Sequence, residues 1–345
     1  MCTLIRARAL AAMVLAATLA TSVAAEELPT PPSQPLKLST AQGPAYPLGK
    51  AGEVWATLIR ERSGGRLAVT YYPGATLSSR DPAREFGALR DRTVDLAVGS
   101  ALAWSAQVPQ LDVLALPWLV PGGPELEALV AGDVGKRLSA ILESSGVIAL
   151  AWTANGFVEL ASAMPVHKPS DLAGLRVRAQ PSPLIEETLA ALGARSSAMS
   201  AAEARALLDK AELDGEETSV AAYSASRLYA GPLTHLLLWQ AHADALVFAV
   251  NRSLWDSWSE ADRKLVRDAA AEASRQAHSM AQRFADDGAL AKLGAQGAVV
   301  TRLTPAGRDA FREAVRAVYD RWTPVIGAEL VDAAKADVSA LSDRR

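Results

Sequence analysis

From Leu36 onward, short apolar runs alternate with helical stretches, and only a few architectures accept such an alternation. Strands that each feed a helix build a mostly parallel sheet with covering helices, an α/β fold. Residues 36–40, 67–72, 94–99 and 147–153 read as strands. Residues 48–62 read as a helix with Val54, Leu58 and Ile59 on its apolar side and Ser63-Gly64-Gly65 as its stop. Residues 81–92 read as a second helix, and residues 125–144 hold further helical turns. In the second half, helices are expected at 181–192 and 201–209, with Ser200 placed to cap the latter. Residues 213–218 read as short and extended, and 233–239 and 245–250 as two apolar strands.

Residues 259–293 break this rhythm. Ser259-Glu260-Ala261-Asp262 reads as a helix start. Leu265, Ala269, Ala273, Ala277, Met280, Phe284 and Gly288 then fall on one stripe at three- and four-residue steps. One helix through this segment would run roughly 50 Å at 1.5 Å per residue, long enough to cross two domains. A last unit follows: a strand at 299–303, Thr304-Pro305 as cap and first helical residue, and a helix through Tyr319.

The first 25 residues have the form of a secretory signal: Arg6 and Arg8, a small apolar run, and Val23-Ala24-Ala25 before the expected cleavage. That places the protein in the periplasm. Residues 26–35 are a proline-rich linker. Losing Arg6 and Arg8 leaves 33 basic residues against the chain's 38 acidic ones, a balance that argues against nucleic acid as a partner. Cys2 is the sole cysteine and leaves with the signal, so the mature chain has neither disulfides nor thiol chemistry. About 320 mature residues suit two domains better than one core.

Asp171 to Pro183 reads DLAGLRVRAQPSP, a turn, a short strand and a Pro-Ser-Pro stop. Strand alternation points Arg176 and Arg178 to one face and Val177 to the other. A guanidinium at a strand end, just before a helix, suits two-point contact with a carboxylate. The alternative for Arg178 is a structural ion pair with Glu186 or Glu217.

Several short motifs occur in a fixed order: Ser63-Gly64-Gly65-Arg66, Val94-Asp95-Leu96-Ala97, Leu116-Pro117-Trp118-Leu119, Asn155-Gly156-Phe157, the arginine strand, Asp214-Gly215-Glu216-Glu217 and Trp255-Asp256-Ser257. In that order the chain resembles, over nearly all its mature length, the solute receptors of TRAP (tripartite ATP-independent periplasmic) transporters of the C4-dicarboxylate-receptor (DctP) type. The resemblance implies a two-domain periplasmic binding protein fold with a hinge, a cleft and a long helix spanning both domains. It assigns residues 36–154 plus 244–284 to domain I, and 155–243 plus 285–345 to domain II. It also implies a monomer that holds a small organic acid in the cleft and delivers it to membrane permease subunits, without cofactor or reaction.

The resemblance makes Arg178 the carboxylate anchor and leaves Arg176 a surface charge. It places Asn155 and Phe157 beside the cleft, but Val158 stands where relatives often have a second arginine, and Thr218 where many have asparagine. Glu217 either orients Arg178 or meets ligand hydroxyls. Trp104, beyond the strand end at Ser100, either caps the ligand or belongs to the core. Gln42 lies in a loop expected to line the cleft. Gln240, His242 and Asp244 form a polar crossover, and Arg205 either adds charge to the pocket or is exposed. His242 and Asp244 make only two ligands, too few for a metal site. No Gly-x-Ser-x-Gly, phosphate-loop or His-Glu-x-x-His pattern points to catalysis. A sensory receptor for an organic acid would share the same fold.

Overall fold

In the computed structural model, residues 35–199 and 201–342 are described. The signal, the linker up to residue 34 and the cap at Ser200 lie outside the described residues. Nine strands form one sheet: β1 Leu36–Thr40, β2 Val69–Pro73, β3 Leu96–Ser100, β4 Val147–Ser162, β5 Arg176–Ala179, β6 Arg195–Ala198, β7 Gly215–Thr218, β8 His235–Asn251 and β9 Val299–Arg302. Their order is β2-β1-β3-β8-β4-β7-β5-β6, with β9 also on β8. β1 is parallel to β2 and β3, and β5 is parallel to β6 and β7. These two parallel ends are joined by β4 and β8, antiparallel to each other and to β7 and β3.

The joining strands correct the sequence reading. β4 has 16 residues where a strand at 147–153 was expected, and β8 has 17 where two strands, 233–239 and 245–250, were expected. The misreading has a physical cause: Asn155, Gln240, His242 and Asp244 interrupt the apolar pattern as a loop would. In the fold Asn155 and Asp244 bond each other, His242 Nδ1 meets Ala115 O and the Gln240 backbone N–H donates to Glu159, so the strands continue.

The β4–β8 ladder slips three times, at Ala149/Ala151, Ala154/Gly156 and Val158/Leu160. At the last slip Val158 pairs with His242 but Leu160 with Leu237, so β8 bulges. Gln240 takes a φ of 53° inside that bulge. Trp118 secures it. Its backbone N–H donates to Ala241 O at 2.8 Å and its indole to Trp239 O at 2.8 Å, while the Trp239 indole donates to Val158 O at 3.0 Å. The expected domain boundaries at 154/155 and 243/244 fall within β4 and β8, beside these slips.

The long helix is Glu260–Ala285, 26 residues, about 39 Å at 1.5 Å per residue. Ser259 caps it by accepting from Asp262 N at 3.1 Å. It packs on the helix Pro47–Arg62 and β4, and also reaches Val220–Ala225 and the following helix. Ala269, Ala270, Ala273 and Ala277 are buried, and these small side chains let the neighbouring helix approach closely. The single longer helix expected through residue 293 is corrected: Asp286 leaves helical geometry and caps a separate helix, Asp287–Ala295, accepting from Ala289 N at 2.7 Å. Residues 305–319 likewise divide, into Pro305–Ala314 and part of Arg316–Ile326.

Apolar side chains cover both ends of the sheet. Leu38, Trp55, Ile59 and Phe248 pack under β1 and β3. Leu208, Tyr223, Leu236 and Leu290 pack at the other end. A larger cluster, including Leu126, Leu184, Trp239 and Phe311, runs along the opposite side through the junction.

Candidate functional site

β5 and β7 run parallel, with Val177 opposite Gly215 and Arg178 opposite Glu216. That register sets two arginines and two acids on one face. Arg176 grips Asp214 with two bonds, Nε to Oδ2 at 2.8 Å and Nη2 to Oδ1 at 2.7 Å. Arg178 donates from Nη1 to Glu216 Oε1 at 2.7 Å and from Nε to Met199 O at 3.0 Å. The ion-pair partner of Arg178 is therefore Glu216, neither Glu186 nor Glu217. The two pairs differ in exposure: the Arg176 side chain is 41% exposed, that of Arg178 only 15%. Burial raises the Glu216 carboxyl above its ordinary range, opposed by the Arg178 charge.

Glu217 lies on the opposite face of β7, where it pairs with Leu160 of β4. It is fully buried and accepts from Gln180 N at 3.2 Å. Its Oε1 stands 3.9 Å from His242 Nε2, and neither atom has a hydrogen-bond partner. Burial pushes the Glu217 carboxyl up to about 8, against the Gln180 N–H and the Arg178 charge. Burial pushes His242 down to about 4, while its Nδ1 lies 2.7 Å from Ala115 O. At neutral pH both are uncharged, so this is no salt bridge; it is a carboxylic acid facing an imidazole nitrogen across a short gap. Nδ1 must then carry the proton to satisfy Ala115 O, which leaves the Nε2 lone pair turned toward Glu217.

Asp244 draws two other expected residues, Ser100 and Asn155, to the junction. It accepts from Ser100 Oγ at 2.9 Å, Leu102 N at 3.2 Å and Asn155 Nδ2 at 2.8 Å. Burial raises its carboxyl above the ordinary range against these bonds. Ser100 ends β3, Asn155 sits in the middle slip of β4, and Asp244 belongs to β8, so one carboxylate ties the three strands at the point where the sheet changes direction. The same slip delivers Ala154 N to Glu127 Oε2 at 2.8 Å, with His278 of the long helix 3.4 Å from that oxygen.

Other expected residues lie elsewhere. Trp104 is 0% exposed, edge-on to Phe86, and donates to Glu85 Oε2 at 3.3 Å; in this conformation it is core and offers no face to a ligand. Thr218 is buried opposite Glu159, with Oγ1 3.4 Å from Ser219 O. Phe157 is half-buried against the main apolar cluster. Gln42 is half-buried in the loop after β1, its carbonyl accepting from Thr40 Oγ1 at 2.7 Å. The Gln240 side chain turns toward Arg308, at 3.5 Å. Arg205 is exposed, 3.4 Å from Asp209. Among the described residues no group of three metal-ligating side chains occurs, and His242 and Asp244 are each engaged with different partners.

Sequence reasoning missed Glu216 and Gln180. Glu216 carried a usable signal: it alternates with Asp214 as Arg178 does with Arg176, so pairing the strands in register predicts both ion pairs.

The family profile described as bacterial extracellular solute-binding protein, family 7, matches residues 38–324. The chain belongs to that family. A TRAP periplasmic solute-binding protein from Ralstonia eutropha H16, solved with (S)-2-acetolactate bound, is 41% identical and covers 89% of this chain and 99% of its own, with a TM-score of 0.86. The C4-dicarboxylate-binding periplasmic protein DctP of Rhodobacter capsulatus is 28% identical over 87% of this chain and 90% of its own length. The 2,3-diketo-L-gulonate-binding periplasmic protein YiaO of Escherichia coli K12 is 26% identical over 82% and 86%. The two-domain fold of TRAP solute-binding proteins is thus this chain's fold, and family 7 membership favours transport over a sensory role.

Proposed function

We propose that the protein is the periplasmic receptor of a TRAP transporter. It captures a small organic acid in the cleft between its two domains and hands it to membrane permease subunits. The observation that carries the reading is Arg178: a largely buried guanidinium at the carboxyl end of a parallel strand, where open α/β sheets bind ligands. A buried fork with several N–H donors suits a carboxylate. The acetolactate in the Ralstonia protein supports a ligand of that size and chemistry, a short acid with a hydroxyl or keto group. The β4–β8 slips supply the hinge.

Export follows from the leader, and no helix among the described residues is long and apolar enough to cross a membrane. The test is a thermal-shift screen of organic acids and matched neutral compounds. A ligand present at 100 times its Kd adds about 2.7 kcal/mol and raises Tm visibly. Stabilisation by short hydroxy or keto acids is the expected result; stabilisation by uncharged compounds alone would overturn the carboxylate reading.

A further inference from the structure

We propose that Glu216 is a built-in counter-ion that sets the charge of the ligand: because it already neutralises Arg178, the site takes a monocarboxylate and rejects a dicarboxylate. The inference rests on the reading that Arg178 anchors a carboxylate.

The strands that build the site are poor in positive charge. Across β4, β5, β7 and β8 the permanently charged cations are Arg176 and Arg178 alone. Arg176 is committed to Asp214 through both its backbone N–H and its guanidinium, at 2.7–2.9 Å. Arg178 is left, and Glu216 sits on it at 2.7 Å with side chains only 15% and 9% exposed. The same strands hold four buried acids: Glu159, Glu216, Glu217 and Asp244.

A ligand carboxylate on the remaining N–H groups of Arg178 would share the guanidinium with Glu216. One negative charge can be accommodated by such a shared fork. A second carboxylate would find no second cation on these strands, and with Glu216 already drawing on the Arg178 charge it would stand unpaired in a poorly solvated place, where an uncompensated charge is costly. Specificity of this kind comes from repulsion built against the wrong ligand as much as from attraction for the right one. The β5–β7 register sets Arg178 opposite Glu216, so the backbone holds the counter-ion beside the guanidinium.

The experiment is calorimetric titration of the full mature protein with (S)-2-acetolactate and with succinate, for wild type, Glu216→Gln and Glu216→Asp. Wild type should prefer the monocarboxylate. Glu216→Gln should tighten monocarboxylate binding by about tenfold and succinate binding by more, moving the ratio at least about tenfold toward succinate. Glu216→Asp keeps the charge and should keep the wild-type ratio, which a merely structural role for the side chain would not predict. An unchanged ratio in Glu216→Gln, or a wild type that prefers succinate, overturns the inference while leaving Arg178 as anchor. Should Glu216→Gln not fold, Glu216→Asp still bears on the role of the charge, and a wild type that prefers succinate still overturns the inference. Failure of wild type to bind any carboxylate overturns the anchoring reading, and this inference falls with it.

Discussion

Replacing Glu217 by glutamine tests whether the centre of the site is neutral. Burial lifts this carboxyl from its ordinary 4.5 to about 8. The unfolded chain therefore releases the proton near pH 4.5, whereas the folded protein keeps it until about pH 8. Between those values the folded state binds one more proton than the unfolded state, so stability falls as pH rises, by about 1.4 kcal/mol per pH unit. At pH 7 the cost of holding the acid protonated reaches about 3 kcal/mol. Glutamine keeps the shape, and its amide oxygen can still accept from Gln180 N, but it does not titrate.

Glu85, Asp112 and Glu159 are also pushed up by burial, to about 7, and they add slopes of the same sign. His242 acts oppositely. Its pKa is depressed to about 4, so its contribution is intact above pH 6.5 and is lost as pH falls toward 4. Comparing variant with wild type cancels these background groups to the extent that they are independent. The assay is urea unfolding at half-unit steps from pH 5.5 to 7.5. Glu217→Gln should gain on wild type by about 1.4 kcal/mol for each unit of rising pH. A stability difference that does not change with pH would mean that Glu217 is ionised in the folded protein, and the neutral pairing with His242 would be wrong.

Two further substitutions probe the frame around the site. Asp244→Ala leaves Ser100 Oγ, Leu102 N and Asn155 Nδ2 without their acceptor. It should cost about 2–5 kcal/mol in urea unfolding, and a loss below about 1 kcal/mol would show that the three strands are not tied through this carboxylate. Gly99→Ala would place a Cβ 2.1 Å from the Trp104 ring. Overpacking of that kind should cost about 1–3 kcal/mol and shift the tryptophan emission, whereas an unperturbed spectrum would mean that Trp104 is not fixed against β3.

The sequence made the arginine strand legible because residues 176–179 alternate cleanly, and the structure places Arg176 and Arg178 on one face as alternation demands. The first helix and the caps at Ser259 and Thr304 were legible for a similar reason: each rests on local chemistry within four residues. What was lost depends on partners distant in sequence. β8 looked like two strands because Gln240, His242 and Asp244 are polar, and only the fold brings Glu159 to Gln240, Ala115 to His242 Nδ1, and Ser100 and Asn155 to Asp244. The helix break at Asp286 was hidden because Phe284 and Gly288 kept the apolar stripe nominally in step. Trp104 could be read as ligand cap or core until Glu85 and the bare Gly99 backbone enclosed it. Glu216 was overlooked because its ion pair crosses between two strands 38 residues apart.

Arg178 is the residue on which the functional reading depends, and calorimetry on Arg178→Ala and Arg178→Lys with (S)-2-acetolactate tests it most directly. Removing a buried charge-assisted contact should cost at least about 2 kcal/mol, roughly thirtyfold in Kd. Lysine restores the charge but not the fork, so it should recover only part of the loss. Circular dichroism on the same samples checks that the fold persists around the unpaired Glu216. Alanine at 178 with undiminished affinity, in a folded protein, would contradict the carboxylate-anchor reading.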